Sequence, residues 1–280
     1  AIASVTTITG TASELAAAIT SGSISVPNGA SFVVEVEAAG AATSAADLDT
    51  IANFATAVDA VDTSAIAVVE GATATVVGLQ GYASIASGST YAVVVNNGAD
   101  SDASVSAILD MRAETSGVIT ATVTDSDPAT LATLNDEAGQ DTNSNDQLTI
   151  TVGAVALPAA DLLKIVGATG LTVDATAATS VTGSAADVLA ALQASANFGD
   201  PVSVPVTITG ANAAASDINA IDALTAGAID ATAVGTLSGS AADVVSGWAA
   251  ATFGASVTVT TTEGAMTVAE FNVINVATSG

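Results

Sequence analysis

Oxygen ligands are the chemistry this sequence offers most densely. Asp125-Ser-Asp127-Pro, Asn135-Asp-Glu137 and Asp141-Thr-Asn143-Ser-Asn145-Asp146 follow one another within a short stretch. Hard carboxylate and amide oxygens at alternating positions suit Ca2+, and Asp141-x-Asn143-x-Asn145 resembles the opening of an EF-hand loop. The match stops there: the sixth place holds Asp146 instead of Gly, and the twelfth Val152 instead of a bidentate Glu. Asp125, Asp127, Asp141, Asn143, Asn145 and Asp146 are the candidate metal ligands, and calcium is the cofactor they would take. The competing reading is a polar, solvated loop, because Asp and Asn are also the ordinary residues of turns.

Other chemistries lack their parts. The chain has no His and no Cys, which removes imidazole and thiolate metal sites, disulfides and any imidazole-activated nucleophile. Lys164 could act as a base only if desolvated, and it sits in a helical stretch beside Ile165. Glu35 and Glu37 alternate with Val34 and Val36, as on the wet face of a strand, and aromatic residues make up only 3% of the chain, too few to furnish a sugar-binding platform. No enzyme is expected. With 28 Asp and Glu against Arg112 and Lys164, the formal charge is −26. Nucleic acid and anionic lipid both require a basic surface, so the partners left are divalent cations, neutral surfaces and copies of the chain itself. Apolar runs break well before about 18 residues, so no membrane insertion is expected. Rows of outward Thr could bind ice on a flat face, but Glu35, Glu37 and Asn96 interrupt them.

The elements that must hold these residues are short. Apolar pairs three or four residues apart recur at Leu15/Ile19, Leu48/Ile51, Val76/Leu79, Val105/Ile108, Leu131/Leu134, Leu162/Ile165, Val188/Leu192, Ile218/Ile221, Val244/Trp248 and Phe271/Ile274. Such a pair is the smallest stripe by which a helix can pack on a sheet, so ten helices are predicted. Thr11/Glu14, Ser44/Asp47, Ser184/Asp187, Ser240/Asp243 and Thr267/Glu270 have capping-box spacing, which assigns these acids to helix starts and not to a catalytic row. Between the helices, Val34/Val36, Leu148/Ile150, Val206/Ile208 and Val257/Val259 alternate with polar residues at period two, the mark of strands with one buried face.

Those elements repeat. Gly71 to Gly183 is 112 residues, twice 56, and Gly183 to Gly239 is 56; Gly10 lies 61 before Gly71, and Asp127 stands at the one missing mark. The chain is thus a single array over 1–280 of five repeats, approximately 1–70, 71–126, 127–182, 183–238 and 239–280, with the N-terminal strand completing the last in phase. Each repeat holds two strand–helix halves. The expected fold is an α/β solenoid of about ten short coils with stacked parallel strands and uncapped ends, extending roughly 48 Å at the usual strand spacing. Asp62, Asp174 and Asp230 recur in the second halves at the same period, and there a turn or strand-edge role is favoured over a metal ladder.

The recurring Gly-Ser-Ala-Ala-Asp-Val (183–188 and 239–244), Ala-Ala-Asp-Leu (45–48 and 159–162) and Asp-Ala-Thr-Ala (174–177 and 230–233) resemble the repeats of giant extracellular proteins of cyanobacteria and related marine bacteria. That resemblance implies a cell-surface or matrix component, adhesin-like and often associated with calcium. Together with the repeat pattern it leads to an expected extracellular structural protein, forming or belonging to a surface fibre, filament or layer by head-to-tail stacking on copies of itself or flanking repeats. The alternative is a calcium-dependent adhesin region whose outer face binds a glycan or a surface.

Overall fold

Helices of one to three turns and strands of two to five residues cannot bury a core singly, so each must lean on a neighbour. The computed structural model describes residues 7–24, 33–38, 40, 42–55, 60–79, 82, 90–96, 98, 101–135, 145–199, 202–262 and 265–278. In it the chain is an α/β protein in which several parallel-strand sheets alternate with helices. It divides into two compact units: Ala1–Asp125 with Glu137–Thr149 and Ala168–Gly170, and Ser126–Asp136 with Ile150–Gly167 and Leu171–Gly280. The glycine spacing does not predict that division.

The first unit runs β1 (Thr7–Thr11), α1 (Ala12–Thr20), β2 (Val33–Glu37), β3 (Thr43–Ser44), α2 (Ala45–Ala55), β4 (Ala60–Asp62), β5 (Val68–Gly71), α3 (Thr73–Gly78), β6 (Ala92–Val95), β7 (Asp102–Ala103), α4 (Val105–Glu114), β8 (Ile119–Val123) and β9 (Gln147–Thr149). One sheet has the order β1-β2-β4 and another β3-β5-β6-β8-β7, with β9 also on β8. Every pairing is parallel. Parallel strands need a crossover between them, and α1 to α4, each packed on the next, supply it.

The second unit opens with α5 (Pro128–Ala132), which tightens into a 3-10 turn over Thr133–Asn135. It continues through β10 (Ala156–Pro158), α6 (Ala159–Gly167), β11 (Val173–Asp174), β12 (Ser180–Gly183), α7 (Ala185–Gln193), β13 (Ala196–Asn197), β14 (Val206–Ile208), β15 (Asn212–Ala214), α8 (Ala215–Leu224), β16 (Ile229–Ala231), β17 (Thr236–Gly239), α9 (Ala241–Ala250), β18 (Thr252–Phe253), β19 (Thr258–Thr261) and α10 (Val268–Thr278). The sheets run β10-β12-β14-β16-β18, β15-β17-β19 and β11-β13, again all parallel. In register, Val181 stands beside Val206 and Leu237 beside Val259, so the period-two apolar residues line one face. Among the described residues no sheet closes on itself.

The ten apolar pairs fall on or at the close of α1 to α10, and the core is the expected mixture of Ala, Val, Ile and Leu, with Leu48, Ile51, Ile108, Leu148, Leu162 and Ile165 wholly buried. All five capping pairs form: the amides of Glu14, Asp47, Asp187, Asp243 and Glu270 donate to the hydroxyls of Thr11, Ser44, Ser184, Ser240 and Thr267. The Asp62, Asp174 and Asp230 carboxylates accept from the amides of Ser64, Thr176 and Thr232 at 2.9–3.0 Å, turning the chain after a strand. Their pKa values are lowered, that of Asp62 chiefly by the Ser64 hydroxyl and then its amide, those of Asp174 and Asp230 chiefly by the amides and then the hydroxyls of Thr176 and Thr232.

The repeating glycines also acquire a cause. A Cβ on Gly71 would lie 2.6 Å from Ala45 Cβ, and Cβ atoms on Gly183 and Gly239 would lie 3.1 Å from those of Ala159 and Ala215. Ala45, Ala159 and Ala215 each open a helix, so the glycine at a strand's end is where that strand meets the start of the helix before it. Asp127 does not take the glycine's place. It is the N-cap of α5, as Thr11, Ser184 and Ser240 are of their helices, and Ser126 falls at the glycine position.

Candidate functional site

The six proposed calcium ligands acquire separate partners where the structure describes them. Asp125 accepts from the Val105 amide at 2.7 Å, capping α4 from a strand's end. Asp127 accepts from both the amide and the hydroxyl of Thr130 at 3.0 Å. Asn145 is exposed, its carbonyl taking the Gln147 amide group. Asp141 and Asn143 lie outside the described residues. Among the described residues, no three carboxylates are placed to hold a metal ion together.

Asp146 is the member that sequence placed least well. Its side chain is wholly buried and forms an ion pair with Arg112, whose Nε and Nη2 both stand 2.9 Å from Oδ2. The other carboxylate oxygen accepts the Ile119 amide at 2.8 Å, and Arg112 Nη2 also donates to the Ala168 carbonyl at 3.1 Å. Burial pushes the Asp146 pKa up, opposed by the Ile119 amide and the guanidinium. Arg112 lies in the last turn of α4, where a cation also meets the negative end of the helix dipole. Around the pair, the Asp146 carbonyl accepts from the Gly170 amide and the Thr169 hydroxyl, and that hydroxyl accepts in turn from the Leu148 amide. One of the chain's two cations is therefore an interior strut joining α4, β8 and β9.

A second buried pair lies in the same unit. The Tyr91 hydroxyl donates to Glu114 Oε1 at 2.5 Å, while Glu114 Oε2 is buried without a hydrogen-bond partner. Burial, then the neighbouring carboxylate, raise the Tyr91 pKa far above its ordinary value. Burial likewise raises that of Glu114, against the smaller pull of the Tyr91 hydroxyl. Because the folded-state pKa lies above the unfolded value of 4.5, the neutral carboxyl is the form the fold prefers. Its contribution is fully present below pH 4.5 and is lost as pH rises through the folded value. Glu114→Gln is accordingly expected to stabilise the first unit by about 1–2 kcal/mol at neutral pH. The gain over wild type should vanish below the unfolded pKa. Urea unfolding across pH, followed by tyrosine fluorescence, checks it; an equal difference at every pH would assign the effect to packing alone.

Sequence reasoning missed both pairs, and it also missed two buried threonines at helix ends, one in each unit. Thr115 and Thr225 close α4 and α8, donate to the carbonyls of Tyr91 and Val204, and accept from the amides of Gly117 and Gly227. The signal was present as Thr-x-Gly at 115–117 and 225–227. Chemically, these groups brace the fold; Arg112, Glu114 and Thr225 are all less than one-tenth exposed.

The open feature lies in the second unit. An apolar groove of about 440 Å3 is lined by Trp248, Asn272, Val273 and Val276, beside a stack of Trp248 on Phe253 with ring centroids 4.7 Å apart. Along α10, Val268, Phe271 and Val276 are exposed. No family model, curated protein or solved structure matches the chain. Among the described residues, no helix is long and apolar enough to cross a membrane.

Proposed function

We propose that this chain is a non-enzymatic structural protein: an α/β solenoid whose coils form, or belong to, an extracellular surface fibre, filament or layer. The observation that carries this reading is the recurrence of one inter-coil contact, Gly71 on Ala45, Gly183 on Ala159 and Gly239 on Ala215, which makes each coil a template for the next. The polar groups best suited to chemistry support it too, since Arg112, Asp146, Asp125 and the capping acids are bonded to elements of the fold. A charge of −26 would keep such rods apart laterally and collect divalent cations on their surface.

Electron microscopy of the 280-residue chain, in millimolar calcium and after chelation, tests the reading. Rods or fibres with an axial repeat near roughly 48 Å are expected, from ten coils at the inter-strand spacing. Loss of fibres on chelation would give calcium a structural role and favour the adhesin-like alternative's cation dependence. Compact particles without elongation under both conditions would overturn the solenoid.

A further inference from the structure

The exposed face of α10 that carries Val268, Phe271 and Asn272 repeats a face that α8 presents to α9 in the second unit. Counting 53 residues on from α8, Ala215 corresponds to Val268, Ile218 to Phe271, Asn219 to Asn272, Ile221 to Ile274 and Thr225 to Thr278; the two helices begin in phase. In α8 these positions are covered: Ala215 and Ile218 are 0% exposed, and Asn219 Nδ2 donates to the Asp243 carbonyl of α9 at 3.1 Å. In α10 the first three of them are open. Val268 is 77% and Phe271 55% exposed, and Asn272 has no such acceptor among the described residues. What covers α8 is α9, preceded by β17, which pairs with β15 just before α8.

The sequence that repeats β17 and α9 is β1 and α1. Thr236-Leu-Ser-Gly239-Ser240-Ala241 matches Thr7-Ile-Thr-Gly10-Thr11-Ala12, and Asp243-Val244 matches Glu14-Leu15; both helices start from hydroxyl caps with an acid at the third position. We propose that the outer face of α10, with residues 265–267 before it, receives β1 and α1 of a second copy of this chain. Asn272 Nδ2 then donates to the Glu14 carbonyl of that copy, as Asn219 does to Asp243, while Phe271 and Val268 are covered by its alanine-rich helix. One step differs. Gly247 lets α9 approach α8, since a Cβ there would lie 3.3 Å from the Ala215 carbonyl oxygen and 3.4 Å from Asn219 Oδ1. The corresponding residue of α1 is Ala18, so the docked helix sits a few tenths of an ångström further out. The proposal rests on the structural reading above and names the partner surface.

Two measurements test it. The chain has no cysteine, so Ala18→Cys/Asn272→Cys introduces one thiol on each proposed face. At about 0.5 M salt, where the Debye length falls to about 4 Å, mild oxidation should give a reducible ladder of multimers, whereas either single variant stops at dimers. In parallel, the wild-type chain should sediment as multimers and Val268→Glu/Phe271→Asp, both changes at exposed positions, as a single chain of 26.6 kDa. Wild-type multimers that persist in the charged double variant, together with a double-cysteine variant that gives no ladder, would overturn this docking surface and leave the structural reading standing. Monomeric rods would also overturn it while keeping the solenoid; monomeric globules would remove both.

Discussion

Arg112→Met is expected to lower the stability of the first unit by about 3–5 kcal/mol, the cost of leaving a buried carboxylate without its counter-charge. Asp146 is wholly buried, and after the change its charge would keep only the Ile119 amide. The strands on either side of that bond, β8 and β9, should lose amide-exchange protection most, with α4 beside them. Protection in α6 to α9 should change far less. Adding Asp146→Asn tests the cause: Asn keeps an oxygen for the Ile119 amide but carries no charge, so Arg112→Met/Asp146→Asn should recover most of the loss. A single variant unfolding at the wild-type urea midpoint would show that the ion pair adds nothing. A double variant no more stable than the single would place the loss in the packing of the arginine stem and its bond to the Ala168 carbonyl instead.

What could be read from residues alone was local. An apolar pair and a hydroxyl-acid cap lie within one helical turn, so Ser184 with Asp187 and Val188 announces α7 wherever the rest of the chain goes. Period-two alternation placed β2 and β14 for the same reason. What escaped depends on residues far apart in sequence. Arg112 meets Asp146 across 34 positions and Tyr91 meets Glu114 across 23, and nothing in either segment marks the other as its partner. Asp146 looked like a loop ligand because Asp141, Asn143 and Asn145 precede it at turn spacing; its burial comes from β8 beside it. Phe271 and Ile274 have the spacing of a core stripe, like Ile218 and Ile221. The pattern is the same, but burial depends on the element packed against it: α9 packs on α8, whereas Phe271 is 55% exposed.

The second large effect belongs to a residue with no side chain. Gly227→Ala should destabilise the second unit by about 3 kcal/mol, the upper range for forcing an extra methyl into a packed site. The added Cβ would fall well inside contact distance of the Val204 carbonyl group and 2.7 Å from the Ser203 carbonyl oxygen. Both obstacles are backbone, and neither is loose. Thr225 Oγ1 donates to the Val204 carbonyl at 2.9 Å while accepting the Gly227 amide at 3.0 Å, and on either side Ala226 N bonds the Val202 carbonyl and Val206 N the Ala228 carbonyl. A carbonyl clamped from both directions cannot retreat without breaking these bonds, so steric cost and lost hydrogen bonds arrive together. Trp248, the only tryptophan, lies in the same unit and reports its unfolding. Gly235→Ala is the control: its nearest obstacle is the Ala211 carbonyl at 3.6 Å, ordinary contact, and it should shift the midpoint little. Gly117 repeats the device in the first unit, under the Tyr91 carbonyl held by Thr115 at 2.6 Å. Gly117→Ala should therefore weaken that unit and leave the Trp248 transition nearly unmoved. Equal losses from Gly227→Ala and Gly235→Ala would mean that crowding by the Val204 and Ser203 carbonyls is not the source of the cost, and that the Thr-x-Gly clamp does not fix the chain at Gly227.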